Sequence, residues 1–288
     1  MPRARRASAG SLSFGDRSLA VGMAITTVDA GRVVARMRMR ARRSTLEISA
    51  EQTRRDELLE VRNGIPRSIR ATYGQSRTQT WTRDDGTEDE VGAVQGNTYT
   101  VDRAGGLVQG QRQDGRALSE DEHDELVEDF GSLGPEHAVH RTLRGRTVAF
   151  GETIDVEVAE HTGLLGPSGT LTMTLVDVRA RDGREIAVFD SMTQGTYLGA
   201  DFELPGRMLV DVGSGWLLSS IAEGPFELEF GPARVKGTMA LETTFEYETS
   251  RSARSARAAR STRCRRSRAR GGCRAHDRSA RSGVEYHR

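Results

Sequence analysis

A two-residue alternation of apolar and polar side chains runs through this chain as far as Thr249 and then stops. Alternation of this period predicts β-strands with one face buried and the other in water. The last strand is the clearest, because its apolar residues all share one face: Val235, Met239, Leu241, Phe245 and Tyr247. A strand of about thirteen residues is long for a globular protein and indicates a large curved sheet or half-barrel.

Shorter stretches with the same alternation occur throughout the preceding sequence, and residues that tolerate tight turns separate them. The predicted strands lie at 21–25, 33–39, 46–48, 59–61, 69–73, 78–82, 99–101, 171–178, 186–189 and 208–212. The predicted turns lie at 29–31, 63–64, 84–86, 104–106 and 181–184. The chain is therefore expected to be mainly β and antiparallel.

One segment, residues 119–131, predicts a helix. Ser119 is placed as the N-cap, and Glu122 three residues later completes a capping box. A second short helix is predicted around residues 156–165. The expected fold is thus a large antiparallel curved sheet or half-barrel with one or two short helices.

The domain organisation follows from the same pattern. Residues 17–249 are expected to form a single β-rich domain, with halves 17–113 and 139–249 on either side of the helix, because no Pro/Gly/Ser linker separates them. Residues 1–16 are expected to be a disordered start.

The composition changes abruptly beyond Ser250. Residues 250–288 hold thirteen Arg and two acidic residues, a net charge of +11, whereas residues 1–250 carry a net charge of −10. Both cysteines, Cys264 and Cys273, lie in this tail. Two interpretations stay open: an out-of-frame extension read from GC-rich DNA, which we favour, and a disordered basic tail. Nucleic-acid binding through the tail is disfavoured, because it lacks Lys and the Phe or Trp residues on which bases stack.

Three stretches contain residue types that can bind a metal ion or a phosphate. His137, His140 and His161 could ligate zinc. The first two precede a strand predicted at 143–150, and an extended chain would place them on opposite faces, so exposed histidines are expected. The loop Gly163–Thr170 lacks the lysine of a phosphate-binding loop and leads into a strand. The acidic stretch 84–90 lacks the ligand pattern of a calcium loop and is expected to be a hairpin tip.

No catalytic residue can be assigned from the sequence. There is no Gly-x-Ser-x-Gly motif, no cysteine before the tail, and no acidic residue recognised on an apolar strand face, where burial would raise its pKa. We therefore expect no catalytic, cofactor-binding or metal-binding residues and a non-enzymatic protein. A hydrolase whose site assembles from distant acids and histidines stays open as an alternative.

Several short motifs resemble those of uncharacterised bacterial envelope proteins, many of them lipoproteins. They are found at 96–101, 143–152, 210–216 and 237–247. The resemblance implies an open sheet of the lipoprotein-carrier kind, whose concave apolar face holds a lipid or a protein partner. It implies no catalytic residues. The sequence as given predicts neither an export signal nor a lipobox cysteine, so an envelope location is expected only if translation starts upstream. No apolar stretch is long enough to predict a transmembrane helix.

Overall fold

The computed structural model describes residues 10–39, 42–74, 78–83, 86–104, 107–130, 137–156, 169–197, 200–230 and 233–249. Within them lie fifteen strands: β1 (Ser11–Ser13), β2 (Ala24–Met39), β3 (Arg42–Arg62), β4 (Ile65–Tyr73), β5 (Thr78–Arg83), β6 (Gly86–Val91), β7 (Thr98–Ala104), β8 (Leu107–Arg112), β9 (Thr147–Ala149), β10 (Thr153–Val156), β11 (Thr170–Arg181), β12 (Arg184–Tyr197), β13 (Ala200–Asp211), β14 (Leu217–Phe230) and β15 (Ala233–Glu248). The described residues also form two helices, α1 (Glu120–Phe130) and α2 (Ala138–Leu143).

Thirteen of these strands form one antiparallel sheet. Its order is β10-β11-β12-β13-β14-β15-β2-β3-β4-β7-β8, and the β5–β6 hairpin joins through β5 to β3. The sheet does not close, because the strands at its two ends, β10 and β8, do not pair with each other. The predicted fold class, mainly β with a large antiparallel sheet and two short helices, is confirmed. The described residues as far as Tyr247 belong to one compact unit.

Two predicted turns have the geometry that their residues favour. Asn63 and Gly64 have φ values of 54° and 76°, and they join β3 to β4. Asp182 and Gly183 have φ values of 52° and 76° between β11 and β12. Positive φ at both central residues matches the twist of two adjacent strands, which is why Asn-Gly and Asp-Gly make tight hairpins.

The predicted turn at 29–31 is wrong, because β2 continues straight through it. Asp29 pairs with Gln52 of β3, and Gly31 pairs with Ala50. On the other side, β2 lies against β15, and Leu241 is the nearest neighbour of Gly31. Pairing on both sides holds the Asp-Ala-Gly sequence extended, although its composition favours a turn.

Other local predictions also need correction. Residues 11–13 form β1, so the expected disordered start does not extend to residue 16. His140 lies in α2, and of the strand predicted at 143–150 only residues 147–149 form one, β9. The helix predicted around 156–165 falls mostly outside the described residues, and Val156 belongs to β10.

Buried apolar residues form three clusters on one face of the sheet, which we call the inner face. Helix α2 packs on the first cluster through Val139 and Leu143, and α1 packs on the second through Leu126 and Phe130. The third, the strand-only cluster, contains described residues of strands alone: Phe202, Leu204 and Met239, with the partly exposed Val33, Ala222, Phe226 and Leu241. The faces predicted for the last strand are confirmed, since Phe245 and Tyr247 also pack on the inner face.

Candidate functional site

A line of cross-strand neighbours with small side chains crosses the inner face beside the strand-only cluster. We call it the small-residue row: Ser191, Gly206, Ala222, Gly31 and Ala50, interrupted only by Leu241 on β15. Six adjacent strands contribute to it, from β12 to β3. With a strand spacing of about 4.8 Å, the row is about 24 Å long.

Larger apolar residues border this row on the side away from the helices. The next row contains Leu204, Met239, Val33 and Ile48, and the row after it contains Phe202, Phe226, Ala35 and Leu46. The inner face here therefore has a shallow strip of small side chains, and larger apolar side chains stand beside it. Such a surface suits an apolar molecule, since removing apolar area from water contributes about 25 cal/mol per Å².

Close backbone approach requires some of the glycines in this region. A Cβ atom on Gly206 would lie 2.3 Å from the carbonyl oxygen of Ile221, and one on Gly237 would lie 2.3 Å from that of Val34. Gly31 differs, because among the described residues a Cβ atom there would meet Leu241 Cδ2 alone, at 3.6 Å. As far as the described residues show, the space above Gly31 on the inner face can therefore take a side chain or a ligand.

Polar residues form the boundary between the small-residue row and the helix-covered clusters. Ser220 and Thr243 are cross-strand neighbours, as are Asp29 and Gln52. A hydrogen bond with Thr243 joins these two pairs at Asp29. Burial raises the pKa of the Asp29 carboxyl, although the Thr243 hydrogen bond and the charge of Arg54 oppose the rise.

A buried charged cluster lies behind this boundary and connects the sheet to α1. Arg54 Nε donates to both carboxylate oxygens of Asp56 at 3.1 Å, and an Arg54 amino nitrogen lies 3.6 Å from Asp129 Oδ2. The hydroxyl of Tyr73 and the amide of Gln52 also donate to Asp129, at 2.7 and 3.1 Å. These contacts hold the C-terminal turn of α1 on the sheet.

The pKa of Asp56 is raised as well. Burial is the main cause, and the pairing with Arg54 only partly offsets it. The expectation that no acidic residue lies on an apolar strand face is thus wrong for Asp29 and Asp56. The sequence did contain a signal that Asp56 lies on this face. Every second residue of a strand lies on the same face, and in β3 these are Ala50, Gln52, Arg54, Asp56 and Leu58.

An aromatic group joins the two helix-covered clusters. Trp216 stacks on Tyr247 with ring centroids 4.6 Å apart, and its indole Nε1 donates to the carbonyl oxygen of Arg17 at 2.8 Å. His140 lies edge-on to Trp216, with centroids 6.3 Å apart. These contacts are those of a core, and we assign them a structural role.

The histidines considered as zinc ligands do not form a site in the described residues. His137 is exposed, as expected, and its ring packs edge-on to Phe245. His140 is 3% exposed, so the expectation of an exposed histidine is wrong there. His161 and the loop 163–168 lie outside the described residues, as do Asp84 and Asp85 of the acidic hairpin. No group of three potential metal ligands occurs in the part of the chain that the structure describes.

Comparison with known proteins gives no identity for the chain. No protein-family model matches it, and no curated protein sequence is significantly similar to it. Within the described ranges, no helix is long and apolar enough to cross a membrane.

Proposed function

We propose that this protein acts by binding rather than by catalysis, and that the inner face beyond the helices receives an apolar, lipid-like ligand. The observation that supports the proposal most is the small-residue row lying beside the strand-only cluster. Val33, Phe226 and Leu241 of that cluster remain partly exposed. Ligand sites combine apolar surface with a few placed polar groups, and Asp29 and Thr243 supply such groups here.

The dimensions of the row suit an alkyl chain. The hydrocarbon core of a bilayer is about 30 Å thick and holds two layers of chains, so one chain is about 15 Å long. The row, at about 24 Å, is long enough to take one such chain lying across the strands.

An envelope location remains part of the proposal. It rests on the sequence resemblance to envelope proteins. An open antiparallel sheet is the fold that this resemblance implies, but fold alone does not establish function, so the argument for binding rests on the inner face. A protein segment bound at the same place is the alternative that the test below distinguishes.

A hydrolase is the second candidate, favoured by the raised pKa of Asp29 and Asp56. A carboxyl group with a raised pKa is better suited to act as a general acid than one with an ordinary pKa. Asp56 is held by Arg54, which leaves Asp29 as the candidate acid. Hydrolysis of a p-nitrophenyl alkyl ester that is lost in Asp29→Asn would support this candidate, and a rate equal to the buffer blank would exclude it for such esters.

The binding proposal is tested with Nile red, a neutral apolar dye, added to the full chain without denaturant. Gly31→Leu places a side chain in the open space above the small-residue row, and Ala30→Leu adds one on the exposed outer face of the same strand. We expect the wild type and Ala30→Leu to bind the dye equally, and Gly31→Leu to bind at least about tenfold more weakly.

Near-UV circular dichroism must show native packing in all three proteins, because loosely packed states also bind apolar dyes. A natively packed wild type that does not bind Nile red would contradict the proposal, and so would equal binding by both leucine variants. Dye binding that a long-chain alcohol fails to displace would favour a protein segment as the natural occupant.

A further inference from the structure

We infer that Asp29 recognises a cationic head group, so that the ligand is an amphiphile carrying an amine at the end of its alkyl chain. This inference rests on the proposed function, since it assigns the polar end of the ligand that the inner face would hold. Three observations carry it: the position of Asp29, its lack of an ionic partner, and the charge of its surroundings.

Asp29 lies one register row from the small-residue row on the same face of β2. Gly31 is two residues further along this face, which corresponds to about 7 Å along the strand. On the inner face of β2 and β13–β15, Asp29 is the only charged residue that the structure describes. A chain in the row would therefore have this one carboxylate within reach of its end.

Asp29 has no ion pair in the described part of the chain. Its side chain bonds to Thr243, whereas Arg54, the cation whose charge acts on it, already pairs with Asp56 and Asp129. A largely buried carboxylate without a counter-ion lowers stability, because the ionised form loses its hydration. Residues that lower stability without a structural gain concentrate at functional sites.

The local charge favours a cation over an anion. Three carboxylates, Asp29, Asp56 and Asp129, share one guanidinium, that of Arg54. Among these four groups the carboxylates outnumber the guanidinium, so the cluster favours a cation and disfavours a fatty-acid carboxylate. An ammonium group supplies one positive charge and three hydrogen-bond donors, and carboxylates are acceptors.

The test compares three probes of equal chain length, dodecylamine, dodecanol and dodecanoate, as competitors of Nile red below their micelle concentrations. It uses the full chain at pH 7, with Asp29→Asn as the variant. Glu242→Gln is the matched control, because Glu242 is exposed on the outer face of β15 and the change in net charge is the same. The control also measures how the loss of one surface negative charge changes the binding of the amine.

We expect wild type and Glu242→Gln to bind dodecylamine at least about tenfold more tightly than dodecanoate, as is typical when a desolvated charge pair forms. Asp29→Asn should lose this preference and keep its affinity for dodecanol. Equal affinity for the three probes, or a preference that survives in Asp29→Asn, would overturn the inference and leave the proposed function intact. If no probe competes and the wild type does not bind Nile red, the proposed function itself fails.

Discussion

At the scale of single residues, two carboxylates in different surroundings, the buried Glu122 and the half-buried Asp29, have opposite pKa shifts. Burial alone would raise the pKa of Glu122, but the backbone N–H of Ser119, the hydroxyl of Tyr99 and the charge of Arg112 hold it below its ordinary value. For Asp29, the Thr243 hydrogen bond and the charge of Arg54 do not offset the effect of burial, so its pKa is raised. The first residue stabilises the fold as an anion, and the second destabilises it.

Asp29→Asn should therefore make the protein more stable at pH 7. The folded-state pKa of Asp29 exceeds its ordinary value of 3.8, so its contribution to stability is fully present below pH 3.8 and is lost as pH rises through the folded-state pKa. Asparagine removes this loss and can still bond to Thr243. We expect a rise in melting temperature of about 2–4 °C at pH 7, which corresponds to about 1 kcal/mol in a chain of this size.

The higher stability of Asp29→Asn should disappear near pH 3, where Asp29 of the wild type is protonated in both the folded and the unfolded states. Thermal unfolding of both proteins at pH 7 and pH 3 provides the measurement. A variant that is less stable than wild type at pH 7 would show that the ionised carboxylate makes a favourable contact that this account lacks.

The capping box shows which residue roles are predictable from sequence. Ser119 Oγ accepts from the N–H of Glu122 at 3.2 Å, and Glu122 accepts from the N–H of Ser119 at 2.9 Å, as the spacing predicts. This interaction depends on residues three apart. The role of Asp29 depends on partners in β3 and β15, and its local sequence, Asp-Ala-Gly, favours a turn instead.

At the scale of secondary structure, α1 is anchored to the sheet by acidic residues along one side. Glu122 accepts from Tyr99 at 2.5 Å and pairs with Arg112, Glu125 accepts from the backbone N–H of Ala93 at 2.8 Å, and Asp129 reaches the Arg54 cluster. The sequence identified the helix and its acidic character. It did not show which acids face the sheet, because their partners come from distant strands.

Glu122→Ala should destabilise the protein by about 3–5 kcal/mol, since it leaves Arg112 without its buried partner and removes the capping box. Glu128→Ala, on the exposed side of the same helix, should change stability by less than about 0.5 kcal/mol. Urea unfolding at pH 7 measures both.

The lowered pKa of Glu122 adds a pH dependence to this comparison. Its contribution is present above its ordinary pKa of 4.5 and is lost as pH falls through the folded-state value. The stability gap between wild type and Glu122→Ala should therefore narrow between pH 7 and pH 2. A gap that stays constant would mean that the charge of Glu122 contributes nothing.

At the scale of the whole molecule, the alternation predicted a large antiparallel sheet, but not its strand order. Residues 42–62 contain two short predicted strands that the structure joins into the single strand β3. The sheet places β15 beside β2, a pairing between distant parts of the chain that turn residues cannot reveal. The candidate site depends on that pairing, because Leu241, Thr243, Asp29 and Gly31 meet across it.

The central claim is that the inner face beyond the helices binds an alkyl chain. Methyl NMR of the full chain with a neutral nitroxide-labelled long-chain alcohol tests it most directly, because the nitroxide broadens only methyl signals close to it. We predict that the methyl signals of Ala50, Ala222 and Leu241 broaden on the inner face. Those of Ala30 and Ile221, on the outer face of the same strands, should remain sharp. Equal broadening on both faces, or none at saturating probe, would contradict the claim.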